Sequence, residues 1–320
     1  MTGRYRDAAD LRRALETRLK QEADRSGTDL ARRRRLVVFD RMAARLAEDR
    51  ASGWILKGGA AMEFRLTGRA RTTKDLDLAL RPEDGSDTDG NEVRELLIDA
   101  LAADLDRDGF RFRVGPAVSL TADTAGRGDW RFSVESHLAG KVFAGVRVDV
   151  VDRGEEIART EFLPLPNTLQ FAGTPQRAIE IVDRRQHFAE KLHAFTRDYG
   201  DRPNTRVKDL VDLVLLAEDG LPGDATLVQV VRHVFAVRAT HEVPGELADP
   251  PPRWRDSYPE LARELATEAP PTLDAALGLV RGLWAAALAD RSPAPGTVDR
   301  AGGGGGGLGG QSVRTSGPSC

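Results

Sequence analysis

Among 320 residues there is one cysteine, Cys320, and it is the last of them. No disulfide can form within the chain, which suits a reducing compartment. An excess of either charge is also missing. Lys and Arg number 47 against 50 Asp and Glu, a formal net charge of −3, so no global basic field draws in nucleic acid and any polyanion site must come from local clusters. No apolar run approaches the roughly 18 residues of a membrane span, and Met1–Asp7 shows no apolar leader region. The expectation is a cytoplasmic protein that neither crosses nor associates with a membrane. His137, His187, His193, His233 and His241 lack metal-ligand spacing, and the chain has no P-loop, no nucleophile elbow and no internal repeat.

What remains is concentrated in two stretches. Trp54-Ile55-Leu56-Lys57-Gly58-Gly59 is a short apolar run ending in two glycines, and Ala60–Phe64 after it reads as helix. The amides at such a helix start can receive phosphate. About a dozen residues later, Arg71-Thr72-Thr73-Lys74-Asp75-Leu76-Asp77-Leu78-Ala79-Leu80 alternates strictly. Leu76, Leu78 and Leu80 share one face of a strand, while Thr73, Asp75, Asp77 and Ala79 share the other. The two carboxylates are then roughly 6.6 Å apart along the backbone, a span suited to divalent ions held about 3.5–4 Å apart. Aspartate is disfavoured in strands, and two on one face repel unless a cation relieves them. A third acid, Asp149 in Arg147-Val148-Asp149-Val150-Val151, joins them if its strand lies alongside; alone it reads equally well as a solvated strand acid. Phosphate cradle beside acidic metal site is the chemistry of nucleotidyl transfer, with Mg²⁺ or Mn²⁺ as the hard cation.

Around these stretches the pattern predicts an α/β (α+β) protein. Two leading helices cover about 7–50, Pro82–Asn91 is a polar loop, and Val93–Asp106 is helical. Alternation from Phe110 to Val151 predicts strands, with a turn at Gly126–Gly128. A proline-punctuated link (Pro164, Pro166, Pro175) leads to helices near 176–198, 207–217, 226–239, 257–267 and 272–290. The expected division is a core with a mixed sheet over 1–165, a helical C-terminal domain over 166–295, and a Gly-rich tail over 296–320 that buries too little surface to order.

Lys57-Gly58-Gly59, Thr73-x-Asp75-x-Asp77 and Val148-Asp149-Val150 together resemble the DNA-polymerase-β-like nucleotidyltransferase superfamily. Phe188-Ala189-Glu190-Lys191-Leu192-His193-Ala194 and Arg206-Val207-Lys208-Asp209-Leu210-Val211-Asp212-Leu213 narrow the resemblance to the AbiEii/AbiGii (MenT-like) toxins, over about Arg32 to Leu216. The resemblance implies that Gly58 and Gly59, with Lys57 and Thr73, hold the triphosphate. It makes Asp75 and Asp77 the metal pair, and Asp149 a third ligand or the general base. It also implies that Lys191 binds nucleotide phosphates and that Asp209 belongs to the same site. Periodicity by itself allows Lys191 to be a snorkelling residue at the edge of the Phe188/Leu192/Phe195 stripe. It likewise allows Asp209 to be a favourable charge at a helix start. Many superfamily members carry Gly-Ser where this chain has Gly-Gly, one phosphate contact fewer.

The reading is a Mg²⁺-dependent toxin that moves a nucleoside monophosphate from an NTP to RNA, by the resemblance the 3′ end of tRNA, with a cognate antitoxin as partner and a role in phage defence. Arg32-Arg33-Arg34-Arg35, Arg206 and Lys208 are the candidate RNA contacts. Two rivals accompany it: transfer to a small molecule, as in aminoglycoside nucleotidylation, or to a protein hydroxyl; and a metal- or nucleotide-binding module without turnover.

Overall fold

The computed structural model describes residues 5–81, 89–122, 128–152, 154–263, 265 and 269–291. Most of the expected polar loop and of the Gly126–Gly128 turn, and the whole Gly-rich tail, lie outside the described residues.

Each leading helix starts where an aspartate can satisfy free amides. Asp7 caps α1 (Ala8–Ser26), accepting the Asp10 amide, and Asp29 caps α2 (Leu30–Glu48), accepting that of Ala31. Gly27 ends α1 at φ +65°, the left-handed conformation glycine adopts without strain. The chain continues through β1 (Trp54–Lys57), α3 (Gly58–Arg65), β2 (Asp75–Leu80) and α4 (Gly90–Ala102). Asp89 and Glu92 close a reciprocal capping box at the start of α4. Strands β3 (Phe110–Val114), β4 (Val118–Ala122), β5 (Gly128–Leu138), β6 (Lys141–Val151), β7 (Thr160–Pro164) and β8 (Ala178–Val182) complete the sheet.

Among the described residues the sheet has eight strands in the order β3-β5-β6-β2-β1-β8-β7, with β4 also pairing β5. It is mixed. β2 runs parallel to β6 and β1 parallel to β8, and the remaining pairs are antiparallel. Leu76, Leu78, Leu80, Val148 and Val150 are fully buried, so the alternation read from the sequence is the alternation between core and cleft. Beneath the sheet, Arg41 and Arg45 of α2 both reach the buried Asp108 carboxylate, which ties α2 to the entry of β3.

Helices α5 (Arg184–Thr196), α6 (Val207–Glu218), α7 (Ala225–Arg238), α8 (Trp254–Arg263) and α9 (Leu273–Ala289) follow. They build a second apolar core containing Phe188, Leu192, Leu210, Val214 and Trp284. Helix α3 serves both cores. Ala60, Ala61 and Phe64 pack in the core of the sheet, while Met62, with Leu66 and Ala70 just beyond the helix, packs in the core of the C-terminal helices. No helix among the described residues is long and apolar enough to cross a membrane.

One element differs from the sequence expectation. Residues 176–198 are not one helix: Ala178–Val182 is a strand, antiparallel to β7 and parallel to β1, and the helix begins only after Asp183. Ile179 and Ile181 alternate as in any strand, and the Asp183 side chain accepts the Gln186 amide to start α5. The sheet therefore extends past residue 165 into the segment expected to be all-helical.

Candidate active site

A single register line across four strands sets the floor of the main cleft. Lys57 of β1 lies opposite Asp77 of β2, Asp77 beside Asp149 of β6, and Asp149 opposite Arg131 of β5. Side chains at paired positions share a face, so the row reads cation, acid, acid, cation. One step along, Asp75 pairs in register with Arg147. Backbone pairing thus sets Asp77 beside Asp149, with Asp75 two residues along the same strand as Asp77.

Each carboxylate already has a partner. Arg131 grips Asp149 with two hydrogen bonds of 2.7 Å. Arg147 Nε donates to Asp75 Oδ1 at 2.5 Å. Asp77 Oδ2 accepts the backbone N–H of Gly59 at 3.1 Å. Burial, with the charge of neighbouring Asp149 added, pushes the Asp77 carboxyl up to about 6 although Lys191 and Lys57 oppose the shift. A carboxyl raised in this way is one that a bound cation would relieve, and an all-oxygen donor set suits a hard divalent ion. Even so, no three His, Cys, Asp or Glu side chains among the described residues stand close enough to form a finished metal shell. The donors fit in kind, and Arg131 and Arg147 hold two of them aside.

The glycine turn is built against this row. Gly58 has φ +62°, and a Cβ there would lie 2.0 Å from Asp77 Oδ2 and 2.7 Å from Asp77 Cβ. A Cβ on Gly59 would meet Thr73 Oγ1 at 2.7 Å. Thr73 in turn donates its hydroxyl to the Asp75 carbonyl oxygen at 3.1 Å. Lys57, at the N-cap of α3, makes no side-chain capping bond. Asp77 takes the Gly59 amide of the first turn, so an anion at this helix start would meet the neighbouring amides and the Asp77 carboxylate together.

The opposite wall comes from α5 and α6. Lys191 Nζ lies 3.1 Å from Asp209 Oδ1 and 2.8 Å from Asp212 Oδ2. Arg71 closes a two-bond fork on Asp212, 2.8 Å each, and Arg206 Nε reaches Asp209 Oδ2 at 2.6 Å. Burial works against the Lys191 charge, but Asp212 and Asp209 outweigh it and hold the ammonium on. Asp212 is the mirror case: burial would raise its carboxyl, and Lys191 and Arg71 hold it well below the usual range. Beside this wall Glu190 pairs with Lys57 at 3.1 Å, and Arg238 pairs with Glu156.

Floor, turn and wall enclose a cavity of about 630 Å³. Lys57, Gly58, Gly59, Thr73, Asp75, Asp77, Asp149, Lys191, Asp209, Arg206 and Lys208 all line it. Arg32–Arg35 do not. Arg32 pairs with Glu63 and donates to the Ala70 carbonyl, Arg34 pairs with Glu16, and Arg33 lies near Glu22. Arg32, Arg33 and Arg34 thus each face an acid on α1 or α3, pairings that the sequence run does not reveal. Sequence reasoning missed Arg71, Arg131 and Glu190. It saw Asp212 only as a second acid on α6, and Arg147 only as a neighbour of Asp149. Ion pairs between distant segments leave no local period to detect.

The family model described as Nucleotidyl transferase AbiEii toxin, Type IV TA system, matches residues 40–279. Among solved structures, MenT4, a nucleotidyltransferase toxin from Mycobacterium tuberculosis H37Rv, matches with a TM-score of 0.55 and 20% identity, over 86% of this chain and 89% of that one. That likeness is one of fold. A putative nucleotidyltransferase from H. pylori matches with a TM-score of 0.40 and 15% identity, over 80% of this chain and 97% of the other. No curated protein matches.

Proposed function

The chain belongs to the AbiEii nucleotidyl transferase toxin family of type IV toxin–antitoxin systems, and from that premise we propose that it transfers a nucleoside monophosphate from an NTP to RNA, the 3′ end of tRNA, releasing pyrophosphate. The observation that carries the reading is the division of charge in one cavity: three strand carboxylates on the floor, and Lys191, Arg71, Arg206 and Lys208 on the wall and rim. An acidic floor suits a divalent cation, and a cationic wall suits the phosphates it accompanies.

Asp75 and Asp77 would hold Mg²⁺, with Asp149 as a third ligand or as base for the acceptor hydroxyl. Such a cation, when bound, neutralises charge at the α-phosphate and the leaving pyrophosphate. Lys191 keeps its proton and meets the phosphates as a fixed point charge. Gly58 and Gly59 let the triphosphate approach the start of α3 without a side chain in the way. Arg131 keeps the Asp149 carboxylate from turning out of the row. The C-terminal helices wall the nucleotide in, and the family implies a cognate antitoxin as partner.

Labelled NTP added to total RNA with and without Mg²⁺ tests the reading. Label on tRNA, lost with EDTA, is the expected result. Label on a small molecule or on protein would select another acceptor class, and no label anywhere would leave only a binding module.

The RNA contacts belong at the cleft rim. Replacing Arg206 and Lys208 with Gln should weaken RNA binding and lower the magnitude of its salt slope by about 0.7 per lost contact, read by filter binding from 50 to 200 mM salt. Turnover indifferent to both salt and substitution would point to a small acceptor.

Arg32→Gln should act differently. Glu63 is 7% exposed and would lose its guanidinium partner, at a cost of about 1–3 kcal/mol. A lower melting temperature with unchanged RNA affinity is expected; the reverse pattern would restore the Arg32–Arg35 run as a contact surface.

A further inference from the structure

The geometry points to Arg71 as a second phosphate-binding cation beside Lys191, with Asp212 as the positioning residue that aims both into the cleft. The inference rests on the nucleotide reading above and names which side chains hold the polyphosphate.

Asp212 is fully buried and 141 residues from Arg71 in sequence. Both its oxygens take a bond from Arg71, and Oδ2 also faces Lys191 Nζ. Arg71 uses Nε and Nη2 on this fork, which leaves the other guanidinium nitrogen, Nη1, free of it. Both residues line the cavity. Lys191 likewise divides its three donors between Asp209, Asp212 and the cleft.

The charge count supports an anionic guest. Direct ion pairs join Lys191, Arg71 and Arg206 to Asp209 and Asp212, three cations to two acids, and the next acid that Lys191 and Arg71 feel is Asp77 across the cleft floor. A planar fork locked on one edge by a carboxylate presents its remaining edge in a fixed direction. That pre-organisation is what recognition of a tetrahedral polyanion needs. A lysine at position 71 could keep the charge but not both the fork and the outward donor.

Direct binding of inorganic tripolyphosphate, measured by calorimetry on the full chain, tests this without requiring turnover. Arg71→Ala should weaken binding about 10- to 100-fold, the range of one hydrogen bond to a charged group, and raise the KM for NTP more than it lowers kcat. Arg71→Lys should recover part of the loss.

Asp212→Asn separates positioning from charge. Removing a negative charge from the wall should tighten anion binding if Asp212 acts only through its field. Loss of the fork should weaken it, and weakening by tenfold or more is the expected result. Tripolyphosphate binding that is unchanged or tighter in Asp212→Asn, or unchanged in Arg71→Ala, overturns the inference while leaving the nucleotide reading standing. Absence of tripolyphosphate and NTP binding in the unmodified protein would sink both.

Discussion

Asp77→Asn should abolish transfer and make the protein more stable. The activity loss follows from the loss of one carboxylate of the pair proposed to hold the metal. Charge stabilisation by a bound cation contributes several kcal/mol, so a fall of about three orders of magnitude or more is expected. The stability gain comes from the same burial. In the folded chain the Asp77 carboxyl titrates at about 6, against 3.8 as its ordinary value. The folded state therefore binds the proton more tightly than the unfolded state. Stability is lost as pH rises from about 4 through 6, and the full cost is present above 6. Two pH units correspond to an upper bound of about 3 kcal/mol. Asparagine carries no such cost, so the variant's advantage should appear above pH 6 and vanish below pH 4. Thermal melts of both proteins at pH 4 and 7.5 in EDTA, beside a transfer assay in Mg²⁺, check both halves. A variant that melts lower at pH 7.5, or keeps a tenth of its activity, would remove Asp77 from this role.

Gly58→Ala should fail for two separable reasons. At φ +62° any Cβ is strained, by about 1–2 kcal/mol. Here the Cβ would also stand 2.7 Å from Asp77 Cβ, so rotating the carboxylate away does not relieve the contact and the two backbones must part. The Gly59 amide then loses its geometry to Asp77. A displacement near 1 Å at reacting groups costs about a hundredfold in rate, and a loss of that size or larger is expected, along with a melting temperature lower by several degrees. Gly27→Ala is the control. Its φ is +65° with nothing within 4 Å of the added Cβ, so it should show the strain alone: a small drop in stability and unaltered transfer. Equal behaviour of the two variants would show that the turn does not depend on the Asp77 contact.

The parts of the site legible in the sequence are those whose signal is local. Leu76, Leu78 and Leu80 alternate with Asp75 and Asp77 within six residues, and a period of two is enough to put both acids on the cleft face. Gly58 and Gly59 follow a strand directly. Lys191 and Asp209 entered through the resemblance, and the structure places them 3.1 Å apart on neighbouring helices. What could not be read is the pairing between segments. Arg131 lies in a strand whose apolar members, Trp130 and Phe132, carried the pattern, and its partner became visible only with the β5–β6 register. Arg71 and Asp212 are joined by no spacing at all. The strand Ala178–Val182 was hidden because Ile181 lies seven residues before Phe188, a spacing that also fits a helical stripe. Asp183, the residue that stops the strand and starts the helix, was the available sign.

Because α3 belongs to both cores, the chain can be divided into two inactive pieces. A cut between Gly200 and Asp201, where the backbone is exposed between α5 and α6, would leave Asp75, Asp77, Asp149 and Lys191 on one fragment and Asp209 and Asp212 on the other. The first would bare Met62, Leu66 and Phe188, the second Leu210 and Val214, apolar residues that share one core in the intact chain. On the proposed function, neither piece would transfer a nucleotide alone. Transfer would return when both were present, so labelled NTP could be made to report that two attached proteins had met.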